Sequence, residues 1–211
     1  MRFSQSLRLI AVNIGIVSSF AVSYPRDDSF YGQNRAAYFQ DNDSAGNSLV
    51  ALQISEYEGT LSDPVKTSTG GEGLAGLIAV SQDSVVVDGD VSPLCSHFVP
   101  SSLGTDSVQY IFTVNAGDDT FSLFTIDGRD PTHPKLLGNA LPTLGQTPVS
   151  VAYSNKLKTA CALNSGSTAG ITCFNISPNG PTLQGGLRFI PQTELNDSSA
   201  YVSAIKCPQP E

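Results

Sequence analysis

The segment Tyr110–Asp127, "YIFTVNAGDDTFSLFTID", contains the pattern that decides the fold class. Two runs of aromatic, apolar and β-branched residues flank a short turn of Asn, Gly and Asp. Such runs on either side of a tight polar turn predict a β-hairpin. The segment therefore indicates an antiparallel sheet.

The same pattern recurs twice more in the chain. The matching segments are Ala36–Gly73, Tyr110–Gln146 and Thr159–Gln192. In each, a first strand ends in an asparagine, a short turn follows, and a second strand ends near an isoleucine. A polar turn and a third strand come next. Similarity at a regular spacing is typical of repeat architectures.

One further strand precedes the second and third copies, in "SVVVDGD" (Ser84–Asp90) and "TPVSVAYSN" (Thr147–Asn155). The second and third repeats then have four antiparallel strands each, and Asn115 and Asn164 are 49 residues apart. This is the composition of a β-propeller blade. The sequence predicts an all-β partial propeller over residues 24–200, with about three four-stranded antiparallel blades. The first copy has no inner strand of its own in this reading.

Composition agrees with an all-β chain and excludes one class of function. Gly and Pro are abundant, with 19 and 13 residues, and the charged fraction is only 14%. The formal net charge is −8, and no cluster of Lys or Arg could neutralise a phosphate backbone. We therefore do not expect the protein to bind nucleic acid.

The N-terminal residues 1–23 have the features of a secretory signal peptide. Basic residues precede an apolar run that is too short to span a bilayer, and small residues stand where cleavage would occur. No later segment is long and apolar enough to cross a membrane. We expect a secreted protein, extracellular or in the cell wall. Three glycosylation sequons agree with export, at Asn42, Asn175 and Asn196.

Residues 91–109 differ from the rest of their blade. Without these nineteen residues the asparagine spacing of 73 falls to 54, close to the period, and the hairpin closes as it does in the third copy. Two interpretations stay open, a translated intron or an authentic surface loop. The same alternatives apply to the atypical tail, residues 201–211.

The order of strands and turns from "YIFTVNAGDDTFSLFTID" to "TPVSVA" resembles the secreted fungal proteins of the seven-bladed lactonase-like propeller family, the 3-carboxymuconate cyclase-like proteins. The resemblance covers about residues 36–196 without the insert. It implies that first strands line a central channel. It also implies that three blades would leave sheet edges open, so that a truncated chain would self-associate and have little activity.

The resemblance implies two classes of function. One is an enzyme that acts on a small lactone ring, with polar channel residues that polarise the carbonyl group and activate water. No cofactor is identified, although the full-length family allows a divalent cation. The other is a non-catalytic secreted glycoprotein that binds a cell-surface ligand, such as an antigen or adhesin. Catalytic residues stay unknown, and the polar residues nearest the predicted inner strands are Gln82, Asp83, Gln146 and Thr147.

The four cysteines fall into two groups. Cys95 and Cys207 lie in the atypical segments, whereas pairing Asn164 with Gly170 would place Cys161 directly opposite Cys173. In an exported protein these neighbours predict a disulfide. No cysteine or histidine spacing suits a zinc site.

Three other features have structural readings that we favour over functional ones. His133, with Asp130 nearby, is predicted in a solvated outer loop instead of a catalytic site, and His97 lies within the insert. The repeated asparagines are read as turn residues and not as ligands. The run "STGGEGLAGL" (Ser68–Leu77) is read as a connection between blades and not as a dinucleotide-binding loop.

Overall fold

The computed structural model describes residues 35–55, 58–75, 83–88 and 108–190, together with the backbone of Ala21–Val22. These residues form three antiparallel sheets, each built from strands that are consecutive in the chain. No helix occurs among them, and so none that could cross a membrane. The predicted all-β class is confirmed for this part of the chain.

Each sheet has four strands in chain order, and the second has a fifth strand beside them. The first contains β1 (Ala21–Val22), β2 (Arg35–Gln40), β3 (Ser48–Ile54) and β4 (Val65–Ser68). The second contains β5 (Val85–Val87), β6 (Gln109–Asn115), β7 (Thr120–Asp127) and β8 (Asp130–Leu136), with β9 (Leu141–Pro142) also paired to β7. The third contains β10 (Pro148–Ser154), β11 (Thr159–Asn164), β12 (Gly170–Ser177) and β13 (Gly180–Phe189).

The sheets stack face to face, as successive propeller blades do. One core cluster joins the first and second sheets and includes Tyr38, Leu49, Ile111 and Phe124. A second cluster joins the second and third sheets, with Phe112, Phe121, Val151, Ala162 and Phe174. The middle sheet is thus covered on both faces, which explains why "YIFTV" in β6 is apolar almost without alternation.

The first strands β1, β5 and β10, here called the inner strands, begin their sheets on the same side. The amide of Val151 in β10 donates to the carbonyl oxygen of Asp83, just before β5, at 2.9 Å. Sequence analysis gave the first copy no inner strand, whereas Ala21–Val22 takes that place beside Ala37 and Tyr38. These two residues fall within the predicted signal peptide, so its cleavage would uncover this edge of β2.

The strands that flank the predicted insert pair directly, as expected. Val85 lies opposite Thr113 and Val87 opposite Ile111. The amide of Asp88 donates to the carbonyl oxygen of Tyr110 at 2.7 Å. Gln109, predicted as the last residue of the insert, is instead the first residue of β6. The predicted insert up to residue 107 lies outside the described residues.

The glycine-rich connection passes between the first two sheets, as its sequence predicted. The amide of Gly73 donates to the carbonyl oxygen of Asp43 at 2.8 Å, and that of Gly117 donates to Glu72 at 2.9 Å. A Cβ on Gly117 would lie 2.2 Å from the carbonyl oxygen of Gly73. Glycine is required there because the two backbones approach too closely for any side chain.

Candidate functional site

The residues that precede two successive inner strands share an uncommon backbone conformation. Asp83, before β5, has φ 55°, and Thr147, before β10, has φ 53°. Positive φ is rare outside glycine, and it is least tolerated by a β-branched residue such as threonine. Outliers of this kind cluster at functional sites, where surrounding contacts maintain them. The inner-strand starts are therefore the candidate site.

Contacts from two neighbouring turns maintain the conformation of Thr147. Its amide donates to the Asp119 carboxylate at 2.7 Å. Its carbonyl oxygen accepts from the amide of Ser165 at 3.0 Å and from the Ser165 hydroxyl at 3.3 Å. Asp119 itself has φ 59°. The backbone of Thr147 is thus fixed from both sides, while its side chain remains partly exposed.

Two further polar side chains at this end of the sheets are exposed, those of Asp83 and Gln146. The Gln146 side-chain oxygen accepts a hydrogen bond from the Ser167 hydroxyl, which leaves the amide NH₂ group to donate. Three of the four sequence candidates, Asp83, Gln146 and Thr147, are therefore described, and they flank the inner strands. Gln82 lies outside the described residues.

The described donor groups at this end do not form a metal site. Calcium and magnesium sites in proteins use several oxygen ligands, commonly with more than one carboxylate. Within the described ranges, no group of three His, Cys, Asp or Glu side chains is close enough to hold a metal ion. The Asp119 carboxylate is already bound to the amide of Thr147. The described residues thus do not fit the divalent cation that the resemblance allows.

The repeated asparagines have a role that the sequence only partly predicted. Asn115 and Asn164 are fully buried and join neighbouring sheets. The side-chain amide of Asn47 donates to Asn115 Oδ1 at 2.8 Å, and the hydroxyl of Thr143 donates to Asn164 Oδ1 at 2.6 Å. Only Asn42 has positive φ, at 52°. The structural reading holds. Asn115 and Asn164 also bond within their own turns, through Nδ2 to Thr120 Oγ1 at 2.9 Å and to the carbonyl oxygen of Gly170 at 3.2 Å, although their backbones are not left-handed.

Sequence reasoning missed two buried threonines that join the sheets close to these asparagines. Thr69 and Thr143 are both fully buried, Thr69 just after β4 and Thr143 just after β9. The carbonyl oxygen of Thr69 accepts a hydrogen bond from the hydroxyl of Ser122 in the next sheet. The carbonyl oxygen of Thr143 accepts one from the hydroxyl of Thr172 in the same way. The signal was present in the sequence as Thr-x-Gly at the same place in two repeats, in "TGG" (69–71) and "TLG" (143–145).

His133 and Asp130 lie in the outer strand β8, where the sequence predicted a loop. His133 Nδ1 is 2.8 Å from Asp130 Oδ1, and the side chains are 62% and 56% exposed. The hydrogen bond with His133, and next that from Thr132, lower the pKa of the Asp130 carboxyl. The pair lies on the outer strand β8, away from the inner-strand starts that form the candidate site, so the structural reading of His133 is retained.

The disulfide between Cys161 and Cys173 is present, and the predicted register is confirmed. Asn164 lies opposite Gly170 and Cys161 opposite Cys173, with the two Cα atoms 4.0 Å apart. The Arg188 guanidinium Nη1 lies 3.4 Å from the Cys173 sulfur. Cys95 and Cys207 lie outside the described residues.

The described sequons differ in their surroundings. Asn175 is exposed on β12, next to buried Phe174 and Ile176. Asn42 is partly buried in the turn after β2, where its amide donates to Asn47 Oδ1 at 3.1 Å. Asn196 lies outside the described residues. Glycosylation at all three positions stays a prediction.

Comparison with known proteins finds little. No protein-family model matches this chain, and no curated protein matches it. Among solved structures, the chain is similar to the crystal structure of a candidate 6-phosphogluconolactonase from Bacteroides uniformis ATCC 8492, with 16% sequence identity and a TM-score of 0.33. The match covers 81% of this chain and 56% of that one. The chain thus spans little more than half the length of that structure.

Proposed function

We propose that this protein is a propeller protein that hydrolyses a small lactone at the inner-strand starts, with Asp83, Gln146 and Thr147 as the site. The observation that carries the proposal is the pair of left-handed residues Asp83 and Thr147 at the same place in two successive repeats. Both are polar, and contacts with other strands and turns hold their backbones. The sequence resemblance to lactonase-like propellers supplies the substrate class.

The chemistry follows from the groups that these residues offer. The exposed Asp83 carboxylate takes a proton from water, and the resulting hydroxide attacks the lactone carbonyl carbon. The Gln146 amide group and the Thr147 hydroxyl donate hydrogen bonds to the carbonyl oxygen as it gains negative charge. The ring C–O bond then breaks, the proton passes from Asp83 to the leaving oxygen, and a hydroxy acid is released.

The test is lactone hydrolysis by the full chain, followed as acid release in a pH-stat with a panel of five- and six-membered lactones. Asp83→Asn removes the base and keeps the backbone, since Asn tolerates positive φ as well as Asp does. We expect kcat to fall on the order of 10²–10⁴-fold. The matched control is Asp63→Asn, at an exposed position away from the site, which should leave kcat unchanged.

Thr147→Gly provides a second, independent readout. Glycine adopts φ 53° without strain, so the melting temperature should stay the same or rise while hydrolysis falls. Loss of activity with preserved stability would show that the left-handed threonine serves binding. The resemblance predicts little activity for a chain of about three blades, whereas this proposal requires measurable turnover. Lack of hydrolysis of every lactone by the unaltered chain, or full activity in Asp83→Asn, would refute the proposal.

A second candidate, a non-catalytic secreted glycoprotein, is favoured by the exposed position of Asn175 in β12. An exposed acceptor on a sheet face can carry a bulky glycan without disturbing the core. Expression in a eukaryotic secretory host tests this candidate. A glycosidase-sensitive mass that Asn175→Gln reduces by one glycan, together with absent lactone hydrolysis, would favour it over the enzyme.

A further inference from the structure

The two sulfurs of the Cys161–Cys173 disulfide have different surroundings. Cys173 is buried, with 4% of its surface exposed, whereas Cys161 is partly exposed. Both lie on the face of the third sheet opposite the second core cluster, because Ala160, Ala162 and Phe174 face that cluster. An attacking thiol therefore has access to Cys161 more readily than to Cys173.

A positive charge stands beside the buried sulfur. Arg188 belongs to β13, where its Cα pairs with that of Ile171, and its Nη1 lies 3.4 Å from Cys173 Sγ. A guanidinium cannot lose its charge at ordinary pH. Next to such a cation a cysteine has a lowered pKa, because the thiolate is favoured over the thiol. In thiol–disulfide exchange, the sulfur with the lower pKa is the better leaving group.

Exposure and charge thus select the same direction of reaction. We propose that the Cys161–Cys173 disulfide is a thiol-exchange site, at which a small thiol attacks Cys161 and Cys173 leaves as a thiolate stabilised by Arg188. The attacking thiolate forms a bond to Cys161 Sγ, the Sγ–Sγ bond breaks, and its electron pair goes to Cys173. A second thiol that attacks the mixed disulfide completes a two-electron reduction and releases the oxidised reagent.

The sheet should remain folded through this exchange. The residues from Thr159 to Asn164 pair with Gly170 to Asn175 throughout the ladder, and Phe174 remains in the second core cluster. The two cysteines are only 12 positions apart in the chain, so the disulfide restricts the unfolded chain over a short loop. Its loss therefore lowers the stability of the folded protein by a limited amount. We expect reduction to lower the melting temperature by about 5–10 °C without unfolding the protein at room temperature.

The experiment uses the full chain carrying Cys95→Ser and Cys207→Ser, so that two cysteines remain. The protein is incubated with millimolar reduced glutathione near neutral pH, quenched with acid, alkylated with N-ethylmaleimide and mapped by peptide mass spectrometry. We expect the glutathione adduct on Cys161 and the maleimide on Cys173. In denaturant, the two cysteines are equally exposed and Arg188 is no longer held beside Cys173. The same reaction should then place glutathione on Cys161 and on Cys173 in about equal amounts.

Two variants separate the effect of charge from that of packing. Arg188→Gln should slow exchange about threefold for each unit by which the pKa of the leaving thiol rises, and Arg188→Lys should restore most of the rate. Glutathione on Cys173 or equally on both sulfurs of the folded protein would overturn the proposal. So would equal rates in Arg188→Gln and the unaltered chain. Lactone hydrolysis is not part of this readout, so the proposal stands or falls separately from the proposed function.

Discussion

At the scale of single residues, buried polar side chains decide how neighbouring sheets are held together. Asn164 is fully buried and has three hydrogen bonds, with the hydroxyl and carbonyl groups of Thr143 and with the carbonyl oxygen of Gly170. Thr143 belongs to the connection that leaves the second sheet. A hydrogen bond specifies distance and direction, whereas apolar packing does not. These asparagines therefore fix the alignment of one sheet on the next.

Asn164→Ala should destabilise the protein by about 1–3 kcal/mol, because it removes three buried hydrogen bonds with Thr143 and Gly170. Urea denaturation followed by far-UV circular dichroism measures the change. The matched control is Asn179→Ala, at an exposed turn position, where we expect a change within about 0.5 kcal/mol. Equal changes in the two variants would mean that the bonds between the sheets contribute nothing to stability.

Asp41 makes stability depend on acid pH. Its carboxylate accepts from Lys66 Nζ at 2.9 Å and from the amides of Ser48 and Asp43. Burial raises the pKa of Asp41, but the hydrogen bonds from Lys66 and the two amides together outweigh burial and lower it. Because the folded state favours the carboxylate, this contribution is present above the unfolded pKa of about 4 and is lost as pH falls through the folded pKa.

We therefore expect the free energy of unfolding to decrease below about pH 4, with a contribution from this pair of less than about 1 kcal/mol because Lys66 is largely solvated. Urea titrations at several pH values between about 2 and 6 measure it. In Asp41→Asn this part of the pH dependence should disappear. If the free energy of unfolding of that variant still decreases at acid pH to the same extent, other carboxyl groups cause the decrease.

At the scale of elements, each strand's pattern follows from how many of its faces are covered. β6 lies in the middle sheet, and Ile111 and Phe112 on its two faces are both fully buried. β13 is the outermost strand of the third sheet, and Leu183 and Phe189 are exposed there. Strand β5, which precedes the insert, has only three residues, yet it pairs directly with β6, which follows the insert.

Deletion of residues 91–107 should leave the sheets intact, since Asp88 already bonds Tyr110 and Gln109 across the junction. A shorter connection costs less closure entropy, so we expect the variant to be as stable or more stable, on the order of 1–2 kcal/mol. Differential scanning calorimetry of the full chain and the deletion variant measures this. A deletion variant that fails to unfold cooperatively would show that these residues belong to the fold.

The sequence predicted the elements much better than the contacts between them. Strand order, the register of Cys161 with Cys173 and the direct pairing of β5 with β6 follow from patterns within one repeat. The bonds from Thr143 to Asn164 join residues of different repeats, and periodicity does not say which groups meet. The left-handed backbone of Thr147 was also unpredictable, because threonine normally disfavours it; contacts with Asp119 and Ser165 impose it.

At the scale of the whole molecule, two apolar interfaces hold the three sheets in one stack. The first cluster is reinforced by the hydroxyl of buried Tyr38, which donates to the carbonyl oxygen of Pro131 in β8 at 2.6 Å. In the second, the rings of Phe121 and Phe174 stack with centroids 4.3 Å apart and planes at 9°. In stacked repeats, stability arises from such contacts between nearest neighbours as well as from each unit.

The Phe121–Phe174 pair tests this stacking directly. Phe121→Ala and Phe174→Ala should each cost about 3–5 kcal/mol, because both rings are fully buried. The double variant should lose less than the sum of the two single losses, by about 0.5–1.5 kcal/mol, since the second substitution removes a ring whose partner is already gone. Urea denaturation of the four proteins measures the cycle. Strictly additive losses would mean that the second and third sheets do not meet through these rings, and the stack of blades would then lack its central contact.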